Sequence, residues 1–153
     1  MRPGARLAFD VGVARCDADA ILAVPVRTLR RDRYGADLDE AADLVEEHAA
    51  IEVVVGLPRH MGGGSSSSTK DARRWARRLG ELIAPVPVRL VDERLTTVTA
   101  QQALHDSGLR ARQFRQVVDQ ASAVVILEHA LETERRTGAP AGEPASPTQG
   151  GRL

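Results

Sequence analysis

The chain has 153 residues, 42% of them hydrophobic, which suits one domain around one core. Lys+Arg 21 against Asp+Glu 21 leaves no net charge, so any attraction to nucleic acid has to come from clustered rather than total charge. Cys16 is the only cysteine, no histidine stands near it at a zinc-ligand spacing, and there is neither a signal-peptide run nor a stretch of roughly 20 apolar residues that could span a bilayer. One cysteine can form no internal disulfide, and a protein with neither a zinc centre nor a membrane span, soluble and cytoplasmic, is expected.

Leu7 to Val11 reads as a short strand stopped by Gly12, and Ile21 to Val26 as a second, which Pro25 assigns to a position near a sheet edge. Polar residues 30–35 lead into a helix from Leu38 to Ala49, with Leu38, Ala41, Ala42, Val45 and Ala49 on one face. The β-branched run within Glu52 to Leu57 suits a central parallel strand covered on both sides. A serine-glycine loop, Met61 to Thr69, ends at Ser68-Thr69-Lys70-Asp71, which resembles a capping box. The helix after it carries Ala72, Trp75, Ala76, Leu79, Leu82 and Ile83 on one face, and Pro85 and Pro87 close it.

Val88 to Val91 is the next strand, Val98 to His105 a short helix, and Leu109 to Gln116 a basic connector. Val117 to Leu131 is apolar nearly all round, the mark of a helix buried against a sheet. From Thr137 to Leu153 the chain is rich in Pro, Gly, Ala and Ser, so residues 137–153 are expected to form a disordered tail after a domain of residues 1–136. Strands and helices in this order give an α/β domain with a mixed sheet, although periodicity alone also allows a small doubly wound fold.

Three of these stretches hold acids among apolar residues: Leu7-Ala8-Phe9-Asp10-Val11-Gly12, Val88-Arg89-Leu90-Val91-Asp92-Glu93-Arg94-Leu95 and Val117-Val118-Asp119-Gln120-Ala121. Taken singly, Asp10 could cap a turn, Glu93 could belong to an exposed charge cluster, and Asp119 could cap a helix. Taken together they read as a cation site, because unit charges 4 Å apart repel by about 4 kcal/mol at an effective dielectric of about 20 unless protons or a metal intervene. Oxygen ligands with open water positions favour Mg²⁺ or Mn²⁺.

The basic residues fall into groups. Lys70, Arg74 and Arg78 form an i, i+4 stripe, with Arg73 and Arg77 beside it. Like charges at that spacing cost a helix a few tenths of a kcal/mol per pair, so such a stripe invites a polyanion, although a solvated face is the commoner explanation. Arg110, Arg112 and Arg115 form a second cluster before Asp119, and Arg59 follows Gly56-Leu57-Pro58 at the end of the central strand, where open α/β sheets tend to bind ligands.

The three acidic stretches, with Val54-Val55-Gly56-Leu57-Pro58-Arg59 between the first two, resemble the YqgF family of Holliday-junction-resolvase-like nucleases from about Leu7 to Leu131. The resemblance implies a ribonuclease H-like fold, in which a mixed sheet flanked by helices begins with an antiparallel hairpin. It implies that Asp10, Glu93 and Asp119 are the metal-binding catalytic acids, with Asp92 in second place. It also implies a metal-dependent endonuclease on structured nucleic acid that matures the 5′ end of precursor 16S ribosomal RNA, in contact with ribosomal particles. Resolution of four-way DNA junctions and a non-catalytic role in ribosome assembly are the alternatives. Family members read D-x-G-x-x-R-[IL]-G-x-A at the first acid; here Asp10-Val11-Gly12-Val13-Ala14-Arg15 matches, but Cys16-Asp17-Ala18-Asp19 follows at once. About five residues are missing, which predicts a shortened first hairpin, with either a compact turn or an unpaired neighbouring strand.

Overall fold

The computed structural model describes residues 2–9, 12–16, 23–29, 32, 34–57, 67–92 and 111–145; for Gly12, residues 67–68 and residues 111–121 it describes the backbone alone. In chain order the elements are β1 (Arg6–Phe9), β2 (Gly12–Cys16), β3 (Ala23–Thr28), α1 (Ala36–Glu47), β4 (Glu52–Leu57), α2 (Ser67–Ile83), β5 (Val88–Asp92), α3 (Ala111–Thr137) and β6 (Glu143–Pro144). The strands form one six-stranded sheet of order β3-β2-β1-β4-β5-β6. β1, β4 and β5 run parallel, β2 and β3 form an antiparallel meander on β1, and β6 returns antiparallel on β5.

Side-chain alternation sorts the core into two layers. Leu7, Phe9, Val53, Val55, Leu57, Val88 and Leu90 pack with Leu38, Ala41 and Leu44 of α1 and with Ala76, Leu79 and Ile83 of α2. Ala8, Ala14, Val54 and Val91 pack on the other side with Ala123, Ile126, Leu127, Ala130 and Leu131 of α3. Val53, Val54 and Val55 are all buried, as a central parallel strand requires. Phe9 meets Trp75 with ring centroids 5.7 Å apart, and the indole Nε1 donates to Asp37 Oδ2 at 2.9 Å, which satisfies its polar end within the layer. Gly35, with φ +88, turns the chain into α1, and Asp32 Oδ2 accepts from the Ala36 backbone N-H at 2.8 Å.

The structure departs from the sequence expectations at five places. Gly12 does not end the first strand region; it opens β2, which pairs with β1 on one side and β3 on the other. The neighbouring strand is therefore not left unpaired. Leu82, expected on the buried face of α2, is 53% exposed. The supposed basic connector is helical from Ala111, so Arg112 and Arg115 lie in the first turns of α3. That helix is buried along one stripe rather than all round, with Glu128 and His129 exposed.

The fifth departure is the tail. Glu143–Pro144 forms β6, Ala141 and Ala145 are buried, and Arg89 of β5 donates from Nε to the Ala141 carbonyl and from Nη2 to the Gly142 carbonyl, each at 2.6 Å. Disorder from residue 137 onward thus fails as far as Ala145, because the open edge of β5 supplies partners that a composition count cannot show. Pro25 does lie in β3, at the edge of the described sheet, opposite Ala14 where the register with β2 shifts. The expected helix from Val98 to His105 lies outside the described residues.

Candidate functional site at the C-terminal edge of the sheet

Because β1, β4 and β5 are parallel, their C-terminal ends reach one edge of the sheet. Phe9 pairs with Val55, and Leu57 with Asp92, so the last described residues of β1 and β5 stand at that edge with β4 between them. Two strand spacings separate β1 from β5, about 10 Å. Asp10 and Glu93 are the next residues in sequence after these strands; both lie outside the described residues, as do Arg59 and Arg110.

The direction of α3 follows from an ion cluster at the opposite edge. Arg2 Nη2 donates to Glu134 Oε1 at 2.7 Å and to Glu52 Oε2 at 2.9 Å, and Arg6 Nη2 donates to Glu134 Oε2 at 3.0 Å. Arg6, Glu52 and Glu134 are buried, so the C-terminal part of α3 is tied to the starting ends of β1 and β4. Hydrogen bonding from Arg2, helped by the Arg6 charge, holds the Glu134 carboxyl down at about 2 against desolvation, and the same contacts push the Arg2 guanidinium up.

From that anchor α3 climbs toward the C-terminal edge. β4 rises about 17 Å from Glu52 to Leu57, which α3 matches in about eleven residues from Glu134, or more if it is inclined to the strands. Its 27 residues amount to about 40 Å, so the amino-terminal third of α3 runs past the strand ends. Asp119 lies on that third. Arg112, Arg115 and Asp119 share one helical stripe with Ser122 and Ile126, which are buried against the sheet.

Lys70, Arg74 and Arg78 are exposed on α2, on the opposite face of the sheet from α3. Arg74 and Arg78 line a depression of about 280 Å³ together with Asp32, Asp37 and Asp71, so that stretch of α2 is of mixed charge rather than uniformly cationic. Arg73, beside the stripe, pairs with Glu143 of β6 at 2.9 Å. Among the described residues no group of three His, Cys, Asp or Glu could hold a metal ion; Asp10 and Glu93 lie outside them. The Arg2, Arg6, Glu52 and Glu134 cluster was not read from the sequence; the only signal for it was Glu134 continuing the buried helical stripe of Leu127, Ala130 and Leu131.

A parallel centre with an antiparallel meander on one side and helices on both faces is the ribonuclease H-like arrangement. The structure of RuvC from Thermus thermophilus in complex with a Holliday junction substrate superimposes with a TM-score of 0.51 at 12% identity, covering 92% of this chain and 99% of that one. A second Thermus thermophilus RuvC structure gives 0.52 at 13% identity. The family model described as "RuvX: Holliday junction resolvase" matches residues 6–133, and the chain belongs to that family of Holliday-junction-resolvase-like nucleases, as its sequence resemblance implied. Relatives named "Putative pre-16S rRNA nuclease" include one from Mycobacteroides abscessus, 52% identical over 92% of this chain and 89% of its own length. Another, from Streptomyces coelicolor, is 52% identical over 94% of this chain and 89% of its own.

Proposed function

We propose that this chain is a divalent-metal-dependent endonuclease whose acids are Asp10, Glu93 and Asp119, and that its substrate is the 5′ end of precursor 16S ribosomal RNA. The observation that carries the reading is side-chain alternation at the sheet edge. Ala8 and Val91 both face α3, so the positions two residues on, Asp10 and Glu93, belong to the same face if each strand continues by one residue. Asp119 is on the stripe of α3 that packs against that face. The same argument separates Glu93 from its neighbour, since Asp92 alternates to the other side.

Three carboxylates brought together fit a hard cation with open coordination positions, Mg²⁺ or Mn²⁺. When bound, such a cation orients and activates a water and neutralises charge developing on the phosphodiester. The chain's own part is to supply two acids that follow directly after β1 and β5 in sequence and a third on α3. Arg112 and Arg115, on the overhanging part of the same helical stripe, Lys70 in the first turn of α2, and Arg59 and Arg110, which follow β4 and precede α3 in sequence, then contact phosphates and orient the strand to be cut; Arg74 and Arg78, farther along α2, are the weaker phosphate candidates. Relatives at 52% identity are named for precursor 16S rRNA, which supports RNA, whereas the family model is named for Holliday junction resolution and the RuvC likeness speaks for the fold alone, so a DNA junction stays the alternative substrate. The work would be done in the cytoplasm on ribosomal particles.

The test is cleavage of end-labelled precursor 16S rRNA and of a synthetic four-way DNA junction, side by side, with and without Mg²⁺ or Mn²⁺. Metal-dependent cuts at the rRNA 5′ region alone are expected. Preferential cutting of the junction would reassign the substrate, and binding without cutting in either metal would make the chain an assembly factor.

A further inference from the structure

We propose that Glu134 is a positioning residue for the proposed acidic site, setting the axial position of α3 on the sheet and thereby how far the Asp119 position on α3 stands from the C-terminal end of β1. This rests on the metal-site reading above. Glu134 accepts four hydrogen bonds: from the Arg2 backbone N-H at 3.2 Å, from Arg2 Nε at 3.3 Å, from Arg2 Nη2 at 2.7 Å and from Arg6 Nη2 at 3.0 Å. The Nε and Nη2 bonds to its two oxygens make a fork, which fixes direction as well as distance. Arg6 begins β1, the strand that leads to Asp10, and Arg2 also holds Glu52 at the start of β4.

Packing alone is a poor guide to where α3 stops along its axis. The sheet face beneath it is floored mostly by small side chains, Ala8, Ala14, Ala23 and Cys16, with Val54 and Val91 as the larger ones, so the grooves available to ridges of the helix are shallow over much of the face. A helix on such a floor is held down by burial but only weakly against sliding. The ion cluster is directional, with Arg6, Glu52 and Glu134 buried and Arg2 exposed at its rim, and it grips α3 fifteen residues, about 22 Å, from Asp119 along a stiff rod. A slide of one or two ångströms there carries over to the acid, and cation sites with near-ideal octahedral demands do not tolerate it.

The experiment uses the full chain and the variants Glu134→Gln and Asp119→Asn, with Leu79→Ala in the other core layer as a control for general destabilisation. Mn²⁺ affinity is measured by calorimetry well below every melting midpoint. Pulsed EPR between nitroxides on Glu47→Cys and Glu128→Cys, both exposed, reports the placement of α3, since Cys16 is buried. Glu134→Gln is expected to weaken Mn²⁺ binding by about tenfold, lower kcat with little change in KM for RNA, and shift or broaden the distance distribution, whereas Leu79→Ala changes only the melting temperature. Unaltered Mn²⁺ affinity and an unaltered distance distribution in Glu134→Gln, while Asp119→Asn abolishes Mn²⁺ binding, would overturn the positioning role and leave the site intact. Equal Mn²⁺ binding by the unmutated protein and Asp119→Asn would remove the site itself, and the positioning role with it.

Discussion

Arg6 and Glu134 stand 128 residues apart in the chain and 3.0 Å apart in the fold, both buried, one at the first residue of β1 and the other near the end of α3. Their contact joins the two elements that lead, in opposite directions along the chain, to the proposed metal-binding acids Asp10 and Asp119.

Breaking that cluster has a thermodynamic signature of its own. Glu134→Gln leaves Arg6 buried without its counter-charge, so a loss of about 3 kcal/mol in urea denaturation at pH 7 is expected. The carboxyl is held at about 2 in the folded state against 4.5 ordinarily, a depressed value, so its contribution is present in full above pH 4.5 and is lost as pH falls from 4.5 toward 2. The stability gap between parent and variant should therefore close across that window. A gap that stayed constant down to pH 2 would show that Glu134 acts through shape rather than charge.

Alternation at the end of β5 makes neighbouring acids unequal. Glu93→Gln and Asp119→Asn should each lower metal-dependent cleavage by orders of magnitude with RNA binding little changed, because each removes a ligand without removing a phosphate contact. Asp92→Asn, on the other face, should cost less than about tenfold. Equal losses at 92 and 93 in a single-turnover assay would place β5 in a different register at its end.

The C-terminal strand is a stability element. Gly142 has φ +75 and its added Cβ would run into the Leu90 backbone carbonyl, so Gly142→Ala should detach β6 from β5. Removing the chain after Thr137 should do the same and expose the β5 edge. Loss of the Arg89 bonds and of two buried alanines should cost about 2 kcal/mol, or about 4–8 °C in the melting midpoint. A melting curve unchanged by truncation would mean that β6 adds nothing.

The two arginine groups should separate by salt dependence. Arg112→Ala with Arg115→Ala should reduce the slope of log affinity against log salt by about 1.4 for single-stranded RNA, about 0.7 for each phosphate left without its arginine. Arg74→Ala with Arg78→Ala should reduce it by less than half as much, because Asp32, Asp37 and Asp71 share their surroundings. The reverse order in filter binding across a salt series would put the RNA path over α2.

Elements with a strong repeat were legible in the chain itself. The run from Val53 to Val55 declared a doubly covered strand, Ala76, Leu79 and Ile83 declared a buried helix face, and Pro25 declared an edge, because each pattern is a local consequence of backbone geometry. β2 was missed because Gly12-Val13-Ala14-Arg15-Cys16 mixes apolar and charged residues and becomes a strand only by lying between β1 and β3. β6 carries no strand pattern at all; its order comes from the unpaired edge of β5 and the Arg89 guanidinium. Asp10, Glu93 and Asp119 stand out in the sequence as carboxylates in apolar company, but that Asp92 alternates away from Val91, and so from α3, is decided by how β5 sits in the sheet. The cluster of Arg2, Arg6, Glu52 and Glu134 was decided by tertiary structure alone, since charges up to 132 residues apart acquire a common environment only when the chain has folded.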